Sequence, residues 1–384
     1  MNKFKFYFIA LCGLGALLFS CNKSDDTIYE PLHFYSVQYP TDTLLIYNFL
    51  KTHYIEQIVD HPGFSDDQDI VMKQIPLGHT TVQPIWESPL LKHTEILYNN
   101  LHYKVYYLQL REGDAVNGQS PSRVDQVLTA YDGSFLEQNS VELDTLDNLG
   151  NPIPKDPAHP EGPFKTIKKT RPVNTQFEAV PFPTGFMSLT SVIPGWPQIF
   201  TLFKTGTIEP ASGPNPAVYN NFGAGVMFLP SALGYYEVEK GTIPIYSPLI
   251  FSFKLYDIKR ADHDQDGILD IDEDLNHDGL FTNDDTDGDG VQNYLDIDDD
   301  GDGFLTFYET KYVLNGATYH YPYNGAAVDD PATPINETFG IPRKFTGPPI
   351  SAEHPEIHTP LPSDYTDPTR LRIHLDNTFP ERAN

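Results

Sequence analysis

The stretch Val192-Ile193-Pro194-Gly195-Trp196 carries the most specific fold signal in this 384-residue chain. It predicts a short helix from near Val192 through Pro197 to Phe203, because proline is tolerated in a first helical turn. Four more segments follow it in order, at residues 203–206, 228–235, 243–245 and 249–255. The last of these, LIFSFKL, is rich in branched and aromatic residues and predicts a strand.

A further strand is predicted upstream, where Val127-Leu128-Thr129-Ala130-Tyr131-Asp132-Gly133 occurs. In order and spacing, the segments over residues 127–255 resemble an FKBP-type peptidyl-prolyl isomerase. The resemblance implies an α+β fold in which a twisted antiparallel sheet wraps around one short helix.

The same resemblance implies a peptide cleft, with Trp196 as its floor and a hydrogen bond from Tyr235 to a substrate carbonyl. The implied catalytic residues are Tyr131, Asp144, Trp196, Tyr235 and Phe251. The implied peptide-binding residues are Leu143, Phe182, Val192, Ile193 and Ile243. Phe186 is nearly as good a match as Phe182 for an aromatic wall.

The cleft departs from the family pattern at its rim. Leu143-Asp144 is the nearest match to the usual Phe-Asp pair, and Thr242 precedes Ile243 where the family has Ile. An Xaa–Pro bond isomerises over a barrier of ~18–20 kcal/mol because amide resonance must be broken. A dry apolar cleft that favours the twisted amide suffices for this, and no nucleophile or proton transfer is needed. The changes at the rim leave two readings open, a prolyl isomerase and a cleft that binds peptide without turnover.

Residues 262–309 form an acidic array of four windows with the spacing D-x-[DN]-x-[DN]-G-x5-[DE]. Alternate oxygen-bearing residues and a glycine turn are what calcium loops require. The predicted ligands are Asp262, Asp264, Asp266, Asp270, Glu273, Asp274, Asn276, Asp278, Asp285, Asp287, Asp289, Asn293, Asp296, Asp298, Asp300, Asp302 and Glu309.

The windows are too close together for EF-hand helices, because Glu273 is followed at once by Asp274 and two windows share Asp285. They resemble thrombospondin type 3 calcium repeats. The array holds 16 Asp and 2 Glu without Lys or Arg, so we expect it to be disordered without cations and rigid with them. The alternative is an acidic linker that binds no metal.

The formal net charge of −28 excludes nucleic acid as a partner, since phosphate binding depends on Lys and Arg. Residues 1–20 have the layout of a secretory signal, and Leu18-Phe19-Ser20-Cys21 resembles a bacterial lipobox. Cys21 is therefore the expected lipidation site. The acidic residues that follow favour display at the cell surface, with the periplasmic face of the outer membrane as the alternative.

The predicted organisation is a signal peptide (1–20), a lipid-anchored linker with a helical segment (21–99), an isomerase-like domain (100–260), calcium repeats (261–310) and a Pro-rich extended tail (311–384). In the segment 21–99, Thr41 or Asp42 is the expected helix cap. Three functions follow. The leading one is a prolyl isomerase that acts on Xaa–Pro segments of exported proteins. The others are a binding module of an outer-membrane export or assembly complex, and a calcium-dependent structural or adhesive lipoprotein.

Overall fold

A computed structural model describes residues 32–77, 82–147, 149–213, 217–314, 316–323, 340–355 and 357–379. The predicted signal peptide and lipidation site at Cys21 lie outside these residues. The chain divides into two compact units, Met1–Phe34 and Tyr35–Asn384, and all contacts given below belong to the second. In the described part of the chain, no helix is both long and apolar enough to cross a membrane.

The centre of the fold is an antiparallel sheet with the strand order β3-β4-β10-β11-β5-β6, to which β7 adds by pairing with β5. Its strands are β3 (Leu91–Tyr98), β4 (Leu101–Arg111), β5 (Gln126–Asp144), β6 (Thr166–Val180), β7 (Met187–Ser188), β10 (Gly223–Leu229) and β11 (Leu249–Lys259). Since β3 precedes residue 100 and pairs along its length with β4, the predicted domain boundary at 99/100 falls inside the sheet.

Two helices cover opposite faces of this sheet. They are α1 (Tyr35–Thr52) and α2 (Gly195–Phe200). Successive strand residues point to opposite faces: Met227 joins the core around α2, and Phe228 joins the core beneath α1. The central strand β10 is therefore buried along its whole length. The predicted short helix is present. The helix predicted in the segment 21–99 is also present, and its packing as a second layer on this sheet was not predicted.

Helix α1 begins earlier than its predicted caps, Thr41 and Asp42, and includes Pro40. Asp42 therefore lies inside the helix and not at its N-terminus. Its side chain faces the sheet and is 1 % exposed. From Tyr35 onward, the predicted N-terminal segment thus belongs to the same compact unit as the sheet.

The remaining elements are two-stranded ribbons and short helices. They are β1 (His53–Ile58) with β2 (Ile70–Gln74), β8 (Thr207–Glu209) with β9 (Val218–Asn220), β12 (Lys311–Leu314) with β13 (Ala317–His320), α3 (Thr306–Glu309) and α4 (Pro362–Thr366). The acidic array is a series of turns with two short 3-10 helices, Asp270–Asp272 and Asn293–Leu295. The described part of the tail packs against it: Ile268 of the array shares a small core with Tyr321, Ile341, Tyr365 and Ile373.

Candidate functional site

An aromatic cluster forms where α2 meets β5 and β11. Trp196 is 3 % exposed, and its ring centroid lies 4.9 Å from that of Tyr131 and 5.2 Å from that of Phe251, both nearly perpendicular. Edge-to-face contacts of this kind stabilise a cluster beyond the area they bury. Val192 and Ile193, just before α2, pack against the same core while staying partly exposed. The structure therefore brings these five predicted cleft residues together.

The strand opposite Tyr131 carries a pair that the sequence analysis did not select. In the β5–β6 register, Tyr131 lies across from Val180 and Gly133 across from Glu178, with a bulge before Ser134. Phe177, which precedes Glu178, sits 5.7 Å from Phe251 and completes the aromatic wall. The close approach depends on Gly133, since a Cβ there would lie 2.7 Å from both the Phe177 and the Phe251 rings.

Leu143 and Asp144 do not reach this cluster. They end the same strand β5 and pair with Ile167 and Thr166, twelve residues from Tyr131, or roughly 40 Å of extended strand. The predicted equivalent of the Phe-Asp pair thus lies away from the cluster, because the long β5–β6 hairpin carries Leu143 and Asp144 to its far end. The sequence does contain a signal for the observed pair: Phe177-Glu178 is an aromatic-acidic dipeptide closer to Val192, with Glu in place of Asp.

Neither Phe182 nor Phe186 forms the aromatic wall of the cleft that was predicted for one of them. Phe182 is 63 % exposed and Phe186 41 % exposed, beyond the end of β6. Phe177 occupies the place beside Phe251 instead.

Glu178, the acidic residue of the Phe177-Glu178 pair, changes the pKa values of two tyrosines in the cleft. The Tyr131 hydroxyl donates a hydrogen bond to the Glu178 side chain, and burial together with this carboxylate raises the pKa of Tyr131 to about 12. Burial and the charge of Glu178 also raise the pKa of Tyr235. Both hydroxyls therefore remain protonated and able to donate at physiological pH.

A cavity of about 340 Å³ lies beside the aromatic cluster. Its lining residues are Phe177, Glu178, Tyr235, Lys240, Gly241, Thr242 and Ile243. Phe177 also contacts Phe251 of the cluster, and Ile243 is 3 % exposed and belongs to the main core. The cavity thus has an apolar base and a polar rim that carries two hydroxyls, those of Tyr235 and Thr242.

The loop that carries Tyr235 is fixed to α1. Asp42 Oδ2 accepts hydrogen bonds from the backbone N (2.7 Å) and the Oγ (2.6 Å) of Ser231, and Asp42 Oδ1 accepts one from Gln38 Nε2 (2.7 Å). Tyr35 stacks on Tyr236, the neighbour of Tyr235, at 4.4 Å. Helix α1 therefore holds the loop that forms one wall of the cleft.

A larger cavity, about 620 Å³, lies between the β1–β2 ribbon and the strands β5, β6 and β11. Lys254 Nζ donates within this region to Ser65 O (2.5 Å) and to Asp69 Oδ1 (2.6 Å), and Gln176 donates to Asp132. The polar groups of Lys254 and Gln176 are thus engaged with protein partners, and the aromatic residues in its lining are Tyr131 and Phe253.

In the acidic array, glycines occupy the sixth position of every window, and all have positive φ: Gly267 (+99°), Gly279 (+73°), Gly290 (+97°) and Gly303 (+88°). This is the conformation that glycine adopts most readily. Among the described residues, four carboxylate triplets have ligand atoms within 4.8 Å of one another. They are Asp262, Asp264 and Asp266; Asp266, Glu273 and Asp299; Asp285, Asp287 and Asp289; and Asp298, Asp300 and Asp302.

Several oxygens in these triplets are buried with no hydrogen-bond partner in the described part of the chain, including Asp262 Oδ1, Asp264 Oδ2 and Asp300 Oδ2. Burial, with the neighbouring carboxylates, raises the pKa of Asp264 to about 8 and that of Glu273 to about 11. Uncompensated buried carboxylates are costly. The donor set, all hard oxygen, fits a calcium-type cation.

The other predicted ligands belong to none of these triplets. Asp270 accepts from the backbone N of His263, and Asn293 bonds through its amide to Thr286. Asp274 accepts from the backbone N of Gly279, and Asn276 donates to Asp284. Asp278 accepts from the backbone N of Leu280, and Asp296 accepts from the backbone N of Asp298. Glu309 is buried. Asp284 and Asp299, both buried, were not predicted, since each lies off the window spacing.

Comparison with known proteins gives one family match. The family described as BamM C-terminal matches residues 263–335, which include most of the acidic array. No curated protein sequence matches the chain.

The similar solved structures include three proteins of the isomerase class. A peptidyl-prolyl cis-trans isomerase from Pseudomonas syringae is 18 % identical, with a TM-score of 0.24, covering 45 % of this chain and 84 % of its own. FkpA from Escherichia coli is 20 % identical, with a TM-score of 0.23, covering 45 % and 53 %. The three FKBP domains of wheat FKBP73 are 16 % identical, with a TM-score of 0.22, covering 44 % and 51 %. The matched region thus spans about half the length of the last two.

Proposed function

We propose that the cleft at Trp196 binds Xaa–Pro segments of exported proteins and accelerates their cis–trans isomerisation, as an FKBP-like module. The observation that carries the proposal is the aromatic cluster of Trp196, Tyr131 and Phe251. Beside it lies a cavity into which Tyr235 brings a protonated hydroxyl. The ordered sequence segments of the FKBP pattern supply this floor, these walls and this donor.

The chemistry follows from the lining. The proline ring enters over the Trp196 floor, and the Tyr235 hydroxyl holds a substrate carbonyl at the rim. Inside an apolar pocket, the planar amide loses solvation that its polar resonance form needs, so the twisted amide is favoured relative to water. Glu178 orients the Tyr131 hydroxyl through their hydrogen bond and serves as a positioning residue.

The test is a prolyl isomerisation assay on the chain from Asn22 in calcium, with Xaa–Pro peptides. Tyr235→Phe removes only the donor, and we expect kcat/KM to fall about 3- to 10-fold, the effect of one lost hydrogen bond. Tyr319→Phe, on the distant β13, is the matched control and is expected to keep full activity. If folded protein does not accelerate Xaa–Pro isomerisation above the uncatalysed rate, the isomerase proposal is wrong.

The second candidate function is a binding module of an outer-membrane protein assembly complex. The match of residues 263–335 to the BamM C-terminal family favours it, since this family hints at a link to such a complex. On this alternative the cleft holds a Pro-containing segment of a partner without turnover. Co-purification of a stoichiometric membrane partner after mild detergent extraction, together with a flat isomerisation trace, would support it.

We further propose that the acidic array binds Ca²⁺ as a structural ion and that the chain is anchored to the outer membrane by a lipid on Cys21. Buried carboxylate oxygens without partners support the first statement, and the lipobox-like sequence supports the second. Calorimetric titration with Ca²⁺ tests the array. Metabolic labelling with palmitate, compared between the native chain and Cys21→Ser, tests the anchor.

A further inference from the structure

Three carboxylates from opposite ends of the acidic array meet in its interior. Asp266 and Glu273 belong to the first window and Asp299 to the fourth, and their ligand atoms lie within 4.8 Å of one another. Their exposed fractions are 1 %, 3 % and 1 %. The site therefore joins two windows that the sequence spacing treats as separate.

The oxygens that face one another have no protein partner. Asp266 Oδ2, Asp299 Oδ1 and both carboxylate oxygens of Glu273 are buried without a hydrogen bond to any described residue. The charged groups that act on Glu273 are the carboxylates of Asp299, Asp264, Asp266 and Asp270, all of the same sign. Since residues 262–309 contain no Lys or Arg, the array cannot neutralise this cluster itself.

Asp299 is held in place by its other oxygen. The backbone N of Asp299 donates to Thr306 Oγ1 (3.2 Å), and the Thr306 hydroxyl donates to Asp299 Oδ2 (3.2 Å). Thr306 is fully buried, and its own backbone N donates to Ile297 O. This arrangement fixes the Asp299 carboxylate and leaves Oδ1 for another ligand.

We propose that Asp299 completes a Ca²⁺ site with Asp266 and Glu273, so that the fourth window closes onto the first. The inference rests on the proposal that the array binds calcium. Calcium suits the cluster because it takes six to eight hard oxygens in flexible geometry, whereas Mg²⁺ demands near-ideal octahedral ligation. The ion therefore acts as a clasp between residues 26 positions apart, and the array is a closed unit and not a linear string of loops.

The experiment is hydrogen exchange on the full chain, with and without Ca²⁺, in two reciprocal variants. Asp299→Asn is expected to raise exchange in the first window (262–273), and Glu273→Gln is expected to raise it in the fourth (298–309). Glu353→Gln, at an exposed carboxylate outside the array, is the control and is expected to loosen neither. Equilibrium dialysis should show at least a 10-fold weaker affinity for one ion in each of the two reciprocal variants.

Raised Ca²⁺ separates the loss of a ligand from a folding defect. We expect an excess of the ion to restore first-window protection in Asp299→Asn, which a misfolded chain would not recover. The proposed shared site is wrong if each variant raises hydrogen exchange only in its own window. It is also wrong if excess Ca²⁺ does not restore first-window protection in Asp299→Asn. If the native chain exchanges equally with and without Ca²⁺, the calcium proposal itself fails.

Discussion

Asp42 on α1 accepts two hydrogen bonds from Ser231, one from its backbone N and one from its hydroxyl, at 2.7 and 2.6 Å. Both residues are buried, with exposed fractions of 1 % and 0 %. Because Ser231 begins the loop that carries Tyr235 and Ile243, this contact ties the N-terminal helix to the wall of the cleft. Helix α1 is thus part of the site's framework.

The first prediction concerns that contact. Asp42→Ala leaves the Ser231 N–H and hydroxyl and the Gln38 amide without their acceptor, and we expect a loss of roughly 3 kcal/mol in the free energy of unfolding. Ser231→Ala removes only the hydroxyl and should cost about 1 kcal/mol. Urea unfolding measures both. Equal losses in the two variants would contradict the argument.

The second prediction compares two carboxylates of one hairpin. Glu178→Gln weakens the acceptor of the Tyr131 hydroxyl, and we expect kcat/KM for Xaa–Pro isomerisation to fall about 3- to 10-fold. Asp144→Asn, at the far end of β5, should leave it unchanged. The same isomerisation assay tests both. If Asp144→Asn lowers kcat/KM more than Glu178→Gln does, then Leu143-Asp144, the pair predicted from the sequence, is the functional one.

The third prediction concerns the close approach at Gly133. An alanine Cβ would lie 2.7 Å from the Phe177 and Phe251 rings, so Gly133→Ala should push one ring aside and destabilise the fold by about 1–3 kcal/mol. Gly185→Ala, where a Cβ meets nothing within 4 Å, is the control. Thermal unfolding compares them, and equal midpoints would show that the wall is not tightly packed.

The fourth prediction is a pH dependence from His53, which stacks on Phe49 at 3.9 Å and is 3 % exposed. Burial lowers the pKa of His53 from 6.5 to about 4. The unfolded chain therefore binds the proton first, so the stability that this residue supplies is complete above pH 6.5 and is lost as the pH falls toward 4. The loss approaches roughly 3 kcal/mol, at about 1.4 kcal/mol per pH unit.

The variant His53→Gln isolates that contribution, since glutamine does not titrate. We expect the stability of the native chain to fall toward that of His53→Gln between pH 6.5 and 4, when both are measured by urea unfolding. Parallel curves over this range would show that the folded and the unfolded chain bind this proton equally, and the predicted lowering of the His53 pKa would be wrong.

The fifth prediction is the effect of calcium removal. A chelator should raise hydrogen exchange across residues 262–309, because the carboxylates of the array then repel one another without a counter-ion. Trp86 and Trp196, the only tryptophans, both pack on the sheet. Their fluorescence should therefore show an unchanged unfolding midpoint. A chelator-induced loss of the tryptophan signal would mean that the sheet depends on the array.

Features that depend on local spacing could be predicted from the amino-acid sequence. The short helix at Trp196 follows from the Pro-Gly-Trp turn, and the left-handed glycines of the array, such as Gly267 and Gly303, follow from their place in each window. The strands that carry Tyr131 and Phe251 are likewise visible as runs of β-forming residues. Such features are set within a few residues along the chain, so a linear pattern can predict them.

Contacts between residues far apart in the chain could not be predicted in this way, because they depend on how the elements pack. Glu178 and not Asp144 reaches Tyr131 because the length of the β5–β6 hairpin and its bulge at Gly133 fix the register, and a register is a property of two strands together. Asp42 is buried because α1 covers the second face of the sheet. Asp299 joins Glu273 because the array folds back on itself, and no spacing rule within a single window contains that contact.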